Sequence, residues 1–361
     1  MRIGVASWEY PPNHTGGLGR HVEGLTKSLS KLGHEVFVFI PERNCPDGVE
    51  GINFVKIHSK KKGFTWIRDV NELIVQKALE LKLDVFHAQD WITFPSMIEL
   101  KPFLPVVCSI HSTEHDRAGR ILKQKNYSLE LEENGLRVCD GVITVSDFMK
   151  KQLVGLFNVA EGKVNVIPNG VVSSDFSSDG SGGNILFLGR LTEQKGVEYL
   201  LYALKDYEFS GKIVILGDGH LQKSLKCFVD NLGLRDKIVF VGFVNDDELI
   251  KLHLSNASVL VMPSLREPFG IVALEGASAK VPLILSKSAG VSEFFTHDEN
   301  ALLIDPTNPS EIISSFDKLK DEELRSKLVD SAFDLVNSDV FDWNKIAEKT
   351  VRVYENFTSS K

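Results

Sequence analysis

Short apolar segments alternate with amphipathic stretches along most of the chain. Residues 2–7 and 257–262 are mostly apolar at consecutive positions, which is typical of parallel strands buried on both faces. Val22, Leu25 and Leu29 recur at helical spacing and indicate a helix after the first of these strands. The alternation predicts an α/β protein made of successive strand–helix units with parallel sheets.

The alternation is interrupted once, by a run rich in Ser and Gly that is typical of a linker. It predicts two Rossmann-like domains, residues 1–170 and 184–340, joined by a linker at residues 171–183. Residues 341–361 form a final helix that we expect to pack back toward the first domain. The two parallel sheets are expected to face each other across a cleft formed by the carboxyl ends of their strands.

Length and composition agree with two ordinary globular domains, since the chain has 361 residues, 43% hydrophobic and 25% charged. The net charge of −8 lies in the second half. Residues 1–168 have 21 Lys and Arg against 20 Asp and Glu, and the remainder has 20 against 29. An acidic second half argues against nucleic acid as the main partner.

Membrane and metal signals are weak in this sequence. No apolar run approaches the roughly 18 residues of a transmembrane helix, and the chain enters a strand directly, so we expect a cytoplasmic protein with no integral membrane segment. The four cysteines are scattered without metal-binding spacing, and we expect free thiols and no metal site.

The most informative stretch follows the apolar residues 257–262. Glu267 lies in the turn, Gly270 opens a helical pattern, and Glu275 comes about two helical turns later. A helix start directly after a strand exposes N–H groups that suit a phosphate, and carboxylates there suit sugar or ribose hydroxyls. The plainer interpretation is that Glu267 caps the helix and that Glu275 is a solvated helix residue.

A second candidate is the loop at residues 189–196, between a predicted strand and helix. Arg190 and Lys195 would bind phosphate, Arg through paired N–H groups and Lys as a point charge. A further glycine turn, Gly217-Asp218-Gly219, follows the next strand and offers backbone N–H groups. A solvated loop is the alternative.

The first half has candidates where its strands end. Gly16-Gly17-Leu18-Gly19 follows the first strand but does not match the G-x-G-x-x-G spacing, so a flexible lid and a phosphate cradle both stay open. His87, Asp90 and His111 follow two later strands, at the edge where open α/β sheets bind ligands. A structural role for each histidine is the alternative.

Together these motifs resemble the retaining GT-B glycosyltransferases of glycosyltransferase family 4, which include glycogen and starch synthases. The most specific match is the Glu-x7-Glu element from Glu267 to Glu275, and residues 189–196 match the family's G-R-x-x-x-x-K-G loop. Residues 166–171 and 143–146 match as structural markers. The resemblance covers nearly the whole chain.

The resemblance implies a role for each matching residue. Arg190 and Lys195 would neutralise the leaving diphosphate in place of a metal, and Glu275 would hold the ribose. Glu267 would hold the donor sugar and His111 would contact it. The implied donor-binding set also includes Gly16, Gly17, Phe243, Phe269, Gly270 and Ile271.

The implied activity is metal-independent, retaining transfer of a hexose, with glucose expected first, from UDP- or ADP-glucose and without a separate cofactor. His87, Asp90 and residues 111–117 look like the corresponding parts of bacterial and archaeal glucan synthases, so an α-1,4-glucan is the expected acceptor. Lipid-linked and small-molecule acceptors stay open, as in mannosyl or trehalose- and sucrose-type transfer, and so does the oligomeric state. The other classes considered are a sugar-nucleotide epimerase and a non-catalytic nucleotide-sugar-binding protein.

Overall fold

The computed structural model describes residues 1–13, 16–124, 126–172 and 182–358. The chain divides into two compact units. The first consists of Met1–Arg117, Ile121–Gly170 and Phe341–Lys361, and the second of Ala118–Arg120 and Val171–Val340. Most of the predicted linker, residues 173–181, lies outside the described residues.

A seven-stranded parallel sheet forms the centre of the first unit, in the order β3-β2-β1-β4-β5-β6-β7. Strands β1, β4 and β5 lie inside this order and are almost entirely buried, which explains their continuous apolar sequence. The strands are β1 (Arg2–Ala6), β2 (Glu35–Pro41), β3 (Ile52–Ile57), β4 (Val85–Gln89), β5 (Val106–Ile110), β6 (Gly141–Thr144) and β7 (Val164–Val166).

Helices connect these strands and cover the sheet. They are α1 (Gly17–Lys31), α2 (Gly63–Glu80), α3 (Phe94–Leu100), α4 (Glu114–Arg117), α5 (Tyr127–Val138), α6 (Asp147–Phe157) and, from the end of the chain, α13 (Trp343–Thr358). The Ser146 hydroxyl accepts a hydrogen bond from the Met149 N–H and caps the start of α6.

The second unit has a six-stranded parallel sheet in the order β10-β9-β8-β11-β12-β13. Its strands are β8 (Asn184–Leu188), β9 (Ile213–Leu216), β10 (Ile238–Gly242), β11 (Ala257–Met262), β12 (Leu283–Ser286) and β13 (Leu302–Ile304). Its helices are α7 (Val197–Ala203), α8 (Gln222–Asn231), α9 (Asp247–Ser255), α10 (Ile271–Ser278), α11 (Pro309–Lys318) and α12 (Glu322–Val336). Two Rossmann-like α/β domains with parallel sheets, as predicted, are confirmed.

The main local difference from the sequence prediction concerns the glycine run after β1. The run Gly16-Gly17-Leu18-Gly19 was expected to be a loop, but α1 begins at Gly17. The N–H groups of a first helical turn have no partner within the helix, so glycines at this end cost the helix less than glycines in its middle. Gly17 and Gly19 therefore belong to the helix start.

The last helix is part of the core of the first unit. Ile346, Ala347 and Tyr354 of α13 are buried in the same apolar cluster as the strands β1, β2 and β4. The Trp343 ring lies against the backbone of Gly24 in α1 and of Gly170 after β7. A Cβ atom at these positions would lie 2.2 Å from Cε2 and 2.7 Å from Cδ2 of that ring.

Among the described residues, none of the helices combines the length and the apolar character needed to cross a membrane.

The Gly24 contact predicts opposite effects for two helical glycines. Gly24→Ala should lower the free energy of unfolding by about 1–3 kcal/mol, because the methyl group overlaps the rigid indole ring. Gly155→Ala in α6 is the matched control, since nothing lies within 4 Å of its added Cβ. It should raise stability by about 0.5–1 kcal/mol through helix propensity. Urea unfolding of both variants tests this, and equal effects would contradict the packing role of Gly24.

Candidate active site

In the second unit, the loops that follow β8 and β11 are held together at the carboxyl edge of the sheet. The Leu265 N–H donates to the Gln194 carbonyl at 2.9 Å. Gly196 has a φ of +62°, and a Cβ atom there would lie 2.2 Å from the Pro263 carbonyl oxygen. Only glycine permits both this backbone conformation and this approach. The contact brings Lys195 to Glu267.

Lys195 and Glu267 form a direct ion pair across these two loops. The exposed fractions of their side chains are 17% and 9%, and the Ser264 hydroxyl also donates to the Glu267 carboxylate at 3.3 Å. Two opposite charges in a poorly hydrated place stabilise each other, and removing one leaves the other desolvated without its partner. The pair therefore defines the position of both groups.

The plainer interpretation of the two glutamates is wrong. Helix α10 is capped by Gly270 without any side-chain hydrogen bond, so Glu267 does not cap it. Glu275 is buried, with 4% of the residue exposed, and is not a solvated helix residue. Both carboxylates lie where burial needs a specific polar partner.

Backbone hydrogen bonds fasten the turn around Glu267 to the segment after β12. The Gly290 N–H donates to the Glu267 carbonyl at 2.8 Å, and the Val291 N–H donates to the Phe269 carbonyl at 2.9 Å. Gly270 has a φ of +104°, which favours glycine at the entry to α10. The backbone of residues 269–271, which belongs to the implied donor-binding set, is thus held in one position at the start of α10.

The remaining predicted residues of this unit are more open. Arg190 is exposed in the same loop as Lys195, and Phe243 is exposed over 57% of its surface after β10. The turn after β9 is pressed onto this loop, since a Cβ atom at Gly217 would lie 1.9 Å from the Gly189 carbonyl oxygen. The structure joins Lys195 and Glu267 directly and leaves Arg190 and Phe243 available at the surface.

In the first unit, Asp90 fixes the turn after β4. It has a φ of 57°, which is uncommon outside glycine but tolerated by Asp, and its Oδ1 accepts the His111 N–H at 2.8 Å. Burial raises the pKa of the Asp90 carboxyl to about 6, although backbone N–H groups of His111 and Ser112 and the charge of Arg117 act in the opposite direction. Asp90 thus links the ends of β4 and β5.

His111 is held as a neutral imidazole at this edge. Burial lowers its pKa to about 4. Its Nε2 lies 2.9 Å from the Gln89 amide oxygen, and its ring centroid lies 4.3 Å from that of His21. The His111 ring can therefore donate or accept hydrogen bonds, but it has no charge at neutral pH.

His87 has no exposed surface. Its Nδ1 lies 2.7 Å from the Tyr354 hydroxyl, and its Nε2 lies 2.8 Å from the Ser109 hydroxyl. Both ring nitrogens are thus satisfied by protein groups. Its predicted position on the acceptor side remains a prediction, and its burial is more consistent with an indirect role.

The glycine loop ends in an exposed helix start. Gly16 is the extended residue before α1, no side chain caps the helix, and both Gly16 and Gly17 are exposed. The first N–H groups of α1 are consequently open to solvent, and anion binding by Gly16 and Gly17 stays a prediction.

Three groups near these residues were missed by the sequence reasoning. His21 is buried in α1, and its Nδ1 lies 2.8 Å from Oδ1 of Asn169. Gln89 bonds to His111. Arg117 pairs with Glu132 at 2.6 Å. The Pro-Asn-Gly run before residue 171 was the available signal for Asn169, but we treated it only as a structural marker.

Comparisons with known proteins agree with this architecture. The family model "Glycosyltransferase Family 4" matches residues 15–174, and "Glycosyl transferases group 1" matches residues 175–334. An uncharacterised glycosyltransferase of Methanocaldococcus jannaschii is 36% identical over 98% of both chains. Glycogen synthase of Mycobacterium tuberculosis is 29% identical, over 98% of this chain and 94% of its own.

Solved structures show the same fold. Sucrose-phosphate synthase from Thermosynechococcus elongatus has a TM-score of 0.85 at 21% identity, with both chains fully covered. Anabaena HepE in complex with UDP and glucose has a TM-score of 0.81 at 18% identity, over 99% of this chain and all of its own. Two Rossmann-like α/β units with parallel sheets are the fold of the GT-B class. The chain belongs to the GT-B glycosyltransferases, and the resemblance seen in the sequence is confirmed at that level.

The raised pKa of Asp90 predicts a pH-dependent loss of stability. Between pH 4 and 6 the folded protein retains a proton that the unfolded chain releases, so stability should fall as pH rises through this window and stay level above it. Asp90→Asn removes this contribution. Wild type should therefore lose about 3 kcal/mol relative to the variant across the window.

Urea unfolding at a series of pH values measures this difference. Glu80→Gln, at the exposed end of α2, controls for the loss of one carboxylate. A constant difference between wild type and Asp90→Asn from pH 4 to 7 would show that Asp90 titrates alike in both states.

Proposed function

We propose that this glycosyltransferase is a retaining, metal-independent hexosyltransferase of family 4. It would transfer a hexose, with glucose as the first choice, from a nucleotide-diphosphate sugar to an α-1,4-glucan. The observation that supports this proposal best is the ion pair of Lys195 with Glu267. Lys195 lies in the same loop as the exposed Arg190. A cation fixed beside a carboxylate offers one group to a phosphate and the other to sugar hydroxyls.

The cations would stabilise the leaving diphosphate. Charge develops on the phosphate oxygens as the glycosidic bond to the donor breaks, and preorganised positive groups supply several kcal/mol of barrier lowering. Glu267 holds the Lys195 ammonium in place before the donor binds. In this proposal Lys195 and Arg190 do the work that a metal ion does in other transferases.

The donor would be UDP- or ADP-glucose. The M. tuberculosis relative is a glycogen synthase, and Anabaena HepE is solved with UDP and glucose, which supports such a donor by similarity. Buried Glu275 would accept the ribose hydroxyls, and the exposed Phe243 ring remains part of the proposed donor set. The helix start at Gly16 and Gly17 would approach the phosphate.

Retention would proceed by attack on the same face, with help from the leaving phosphate. A retaining glycosidase needs two carboxylates that flank the bond, one of them a free nucleophile. Glu267 is instead paired with Lys195, and Asp90 accepts a backbone N–H. Neither is arranged as a nucleophile, and neutral His111 would contact the donor sugar.

Purified protein offered separate donors and acceptors tests the proposal. UDP-glucose, ADP-glucose and GDP-mannose are each combined with glycogen, maltooligosaccharide, a small-molecule acceptor or a lipid-linked sugar, with and without EDTA. We expect nucleotide diphosphate release that requires glucan and persists in EDTA, and an α-configured product by NMR. Release only with another acceptor would overturn the glucan assignment, and a β-configured product would overturn retention.

Lys195→Ala should lower kcat by about 10²–10³-fold, because one preorganised cation is lost from the leaving group. Steady-state kinetics with the best donor and acceptor measures the effect. Lys223→Ala, an exposed lysine of α8, is the control for removing a positive charge from this unit. Near-normal turnover of a folded Lys195→Ala protein would remove Lys195 from the mechanism.

A further inference from the structure

We propose that Tyr354, His87 and Gln89 are positioning residues that fix the tautomer and the orientation of the His111 imidazole. The inference rests on the proposed function, in which His111 contacts the donor sugar. It adds a buried chain of hydrogen bonds that begins in the last helix of the protein and ends at the edge of the sheet.

The chain begins at a buried phenol. Tyr354 in α13 has no exposed surface, and its hydroxyl lies 2.7 Å from Nδ1 of His87, which is 267 positions away in the sequence. A buried tyrosine hydroxyl needs a hydrogen-bond partner, and burial also raises the pKa of Tyr354 and keeps the phenol protonated. The phenol oxygen therefore stays uncharged and can accept the N–H of the ring.

His87 passes this constraint to the next residue. A neutral imidazole has one donor and one acceptor nitrogen, so the hydroxyls of Tyr354 and Ser109 must take complementary roles. The Gln89 amide NH2 can only donate and lies 3.2 Å from Nε2, so Nε2 accepts, also from the Ser109 hydroxyl, and Nδ1–H donates to the Tyr354 hydroxyl. With both nitrogens satisfied, the His87 ring has one orientation.

Gln89 connects the two histidines. Its amide nitrogen lies 3.2 Å and 3.4 Å from the ring nitrogens of His87, and its amide oxygen lies 2.9 Å from Nε2 of His111. An amide oxygen only accepts, so Nε2 of His111 must carry the proton. A reversed amide would place its NH2 group against His111 and demand the opposite tautomer.

Other contacts of His111 orient the residue but do not choose its tautomer. Its backbone N–H bonds to Asp90, and its ring meets the His21 ring at an interplanar angle of 62°. His21 is itself held by Asn169 at 2.8 Å. The hydrogen bond to Gln89 is thus the contact that places the His111 proton on Nε2.

This tautomer leaves Nδ1 of His111 with a lone pair. Such a nitrogen accepts a hydrogen bond from a hydroxyl, which a sugar supplies, and gives none to it. Without this chain of hydrogen bonds, the His111 proton could occupy either ring nitrogen. A fraction of the enzyme would then present an N–H at Nδ1 to the donor sugar in place of a lone pair. Mutation of the hydrogen-bond partner of a metal-bound histidine typically lowers activity by about 10–100-fold. We expect a similar range for mutation of the partners of His111.

The nitrogen spectrum of His111 tests the tautomer without any substrate. Protein labelled with ¹⁵N-histidine is compared with His111→Ala to assign the signals. We expect a protonated Nε2 and an unprotonated Nδ1 in wild type and in Gln89→Glu, which keeps an acceptor oxygen. Gln89→Leu should move both signals toward a mixture of tautomers, and Tyr354→Phe should move them in the same direction.

Tyr10→Phe is the matched control, because Tyr10 is also fully buried in the first unit and its hydroxyl lies 3.4 Å from the Thr26 hydroxyl instead. It should leave the His111 signals unchanged. Unchanged signals in both Gln89→Leu and Tyr354→Phe would overturn the proposal.

Kinetics supplies the functional half of the test. Gln89→Leu and Tyr354→Phe should lower kcat roughly ten-fold or more with little change in the donor KM, and Gln89→Glu should recover part of the loss. Unchanged kcat despite a changed tautomer would overturn the positioning role. Absence of transfer by wild type with every donor and acceptor would instead refute the proposed function, while the spectra still decide whether the chain sets the tautomer.

Discussion

The ion pair of Lys195 and Glu267 is the interaction on which the site of the second unit depends. It exists because Gly196 lets the loop after β8 touch the loop after β11, which brings opposite charges from two strand ends together. Each charge is poorly hydrated and needs the other, so the pair holds a cation and a carboxylate at fixed places before any ligand binds. Preorganisation of this kind would suit the departure of a phosphate group in the function proposed above.

The histidines at the strand ends of the first unit are uncharged, whereas the second unit places an ion pair at its strand ends. Burial lowers the pKa of His21, His87 and His111, and proximity of the rings acts in the same direction for His21 and His87. These imidazoles consequently act through the direction of their hydrogen bonds and not through charge. Asp90 differs from them, because a carboxyl with a pKa of about 6 is still mostly ionised at neutral pH.

The end of the chain is a structural part of the first unit. Trp343 fills the space left by Gly24 and Gly170, and Tyr354 reaches the buried face of His87. Helix α13 therefore contacts both the apolar core of the first unit and its histidine cluster. We expect a mutation in α13 to change both the stability of the first unit and the hydrogen bonding of the histidines at its strand ends.

Hydrophobic periodicity determined the parallel α/β architecture, because burial on both faces of a strand leaves a local pattern in the sequence, and the Ser- and Gly-rich run indicated the division into two units. Chain order also placed Lys195 and Glu267 at one edge, since all parallel strands end on the same side. Only the tertiary structure decided that these two pair directly, that Glu275 is buried, and that Tyr354 reaches His87. Those contacts depend on which strands are neighbours and on how deeply each side chain is desolvated, and neither is encoded within a short stretch of residues.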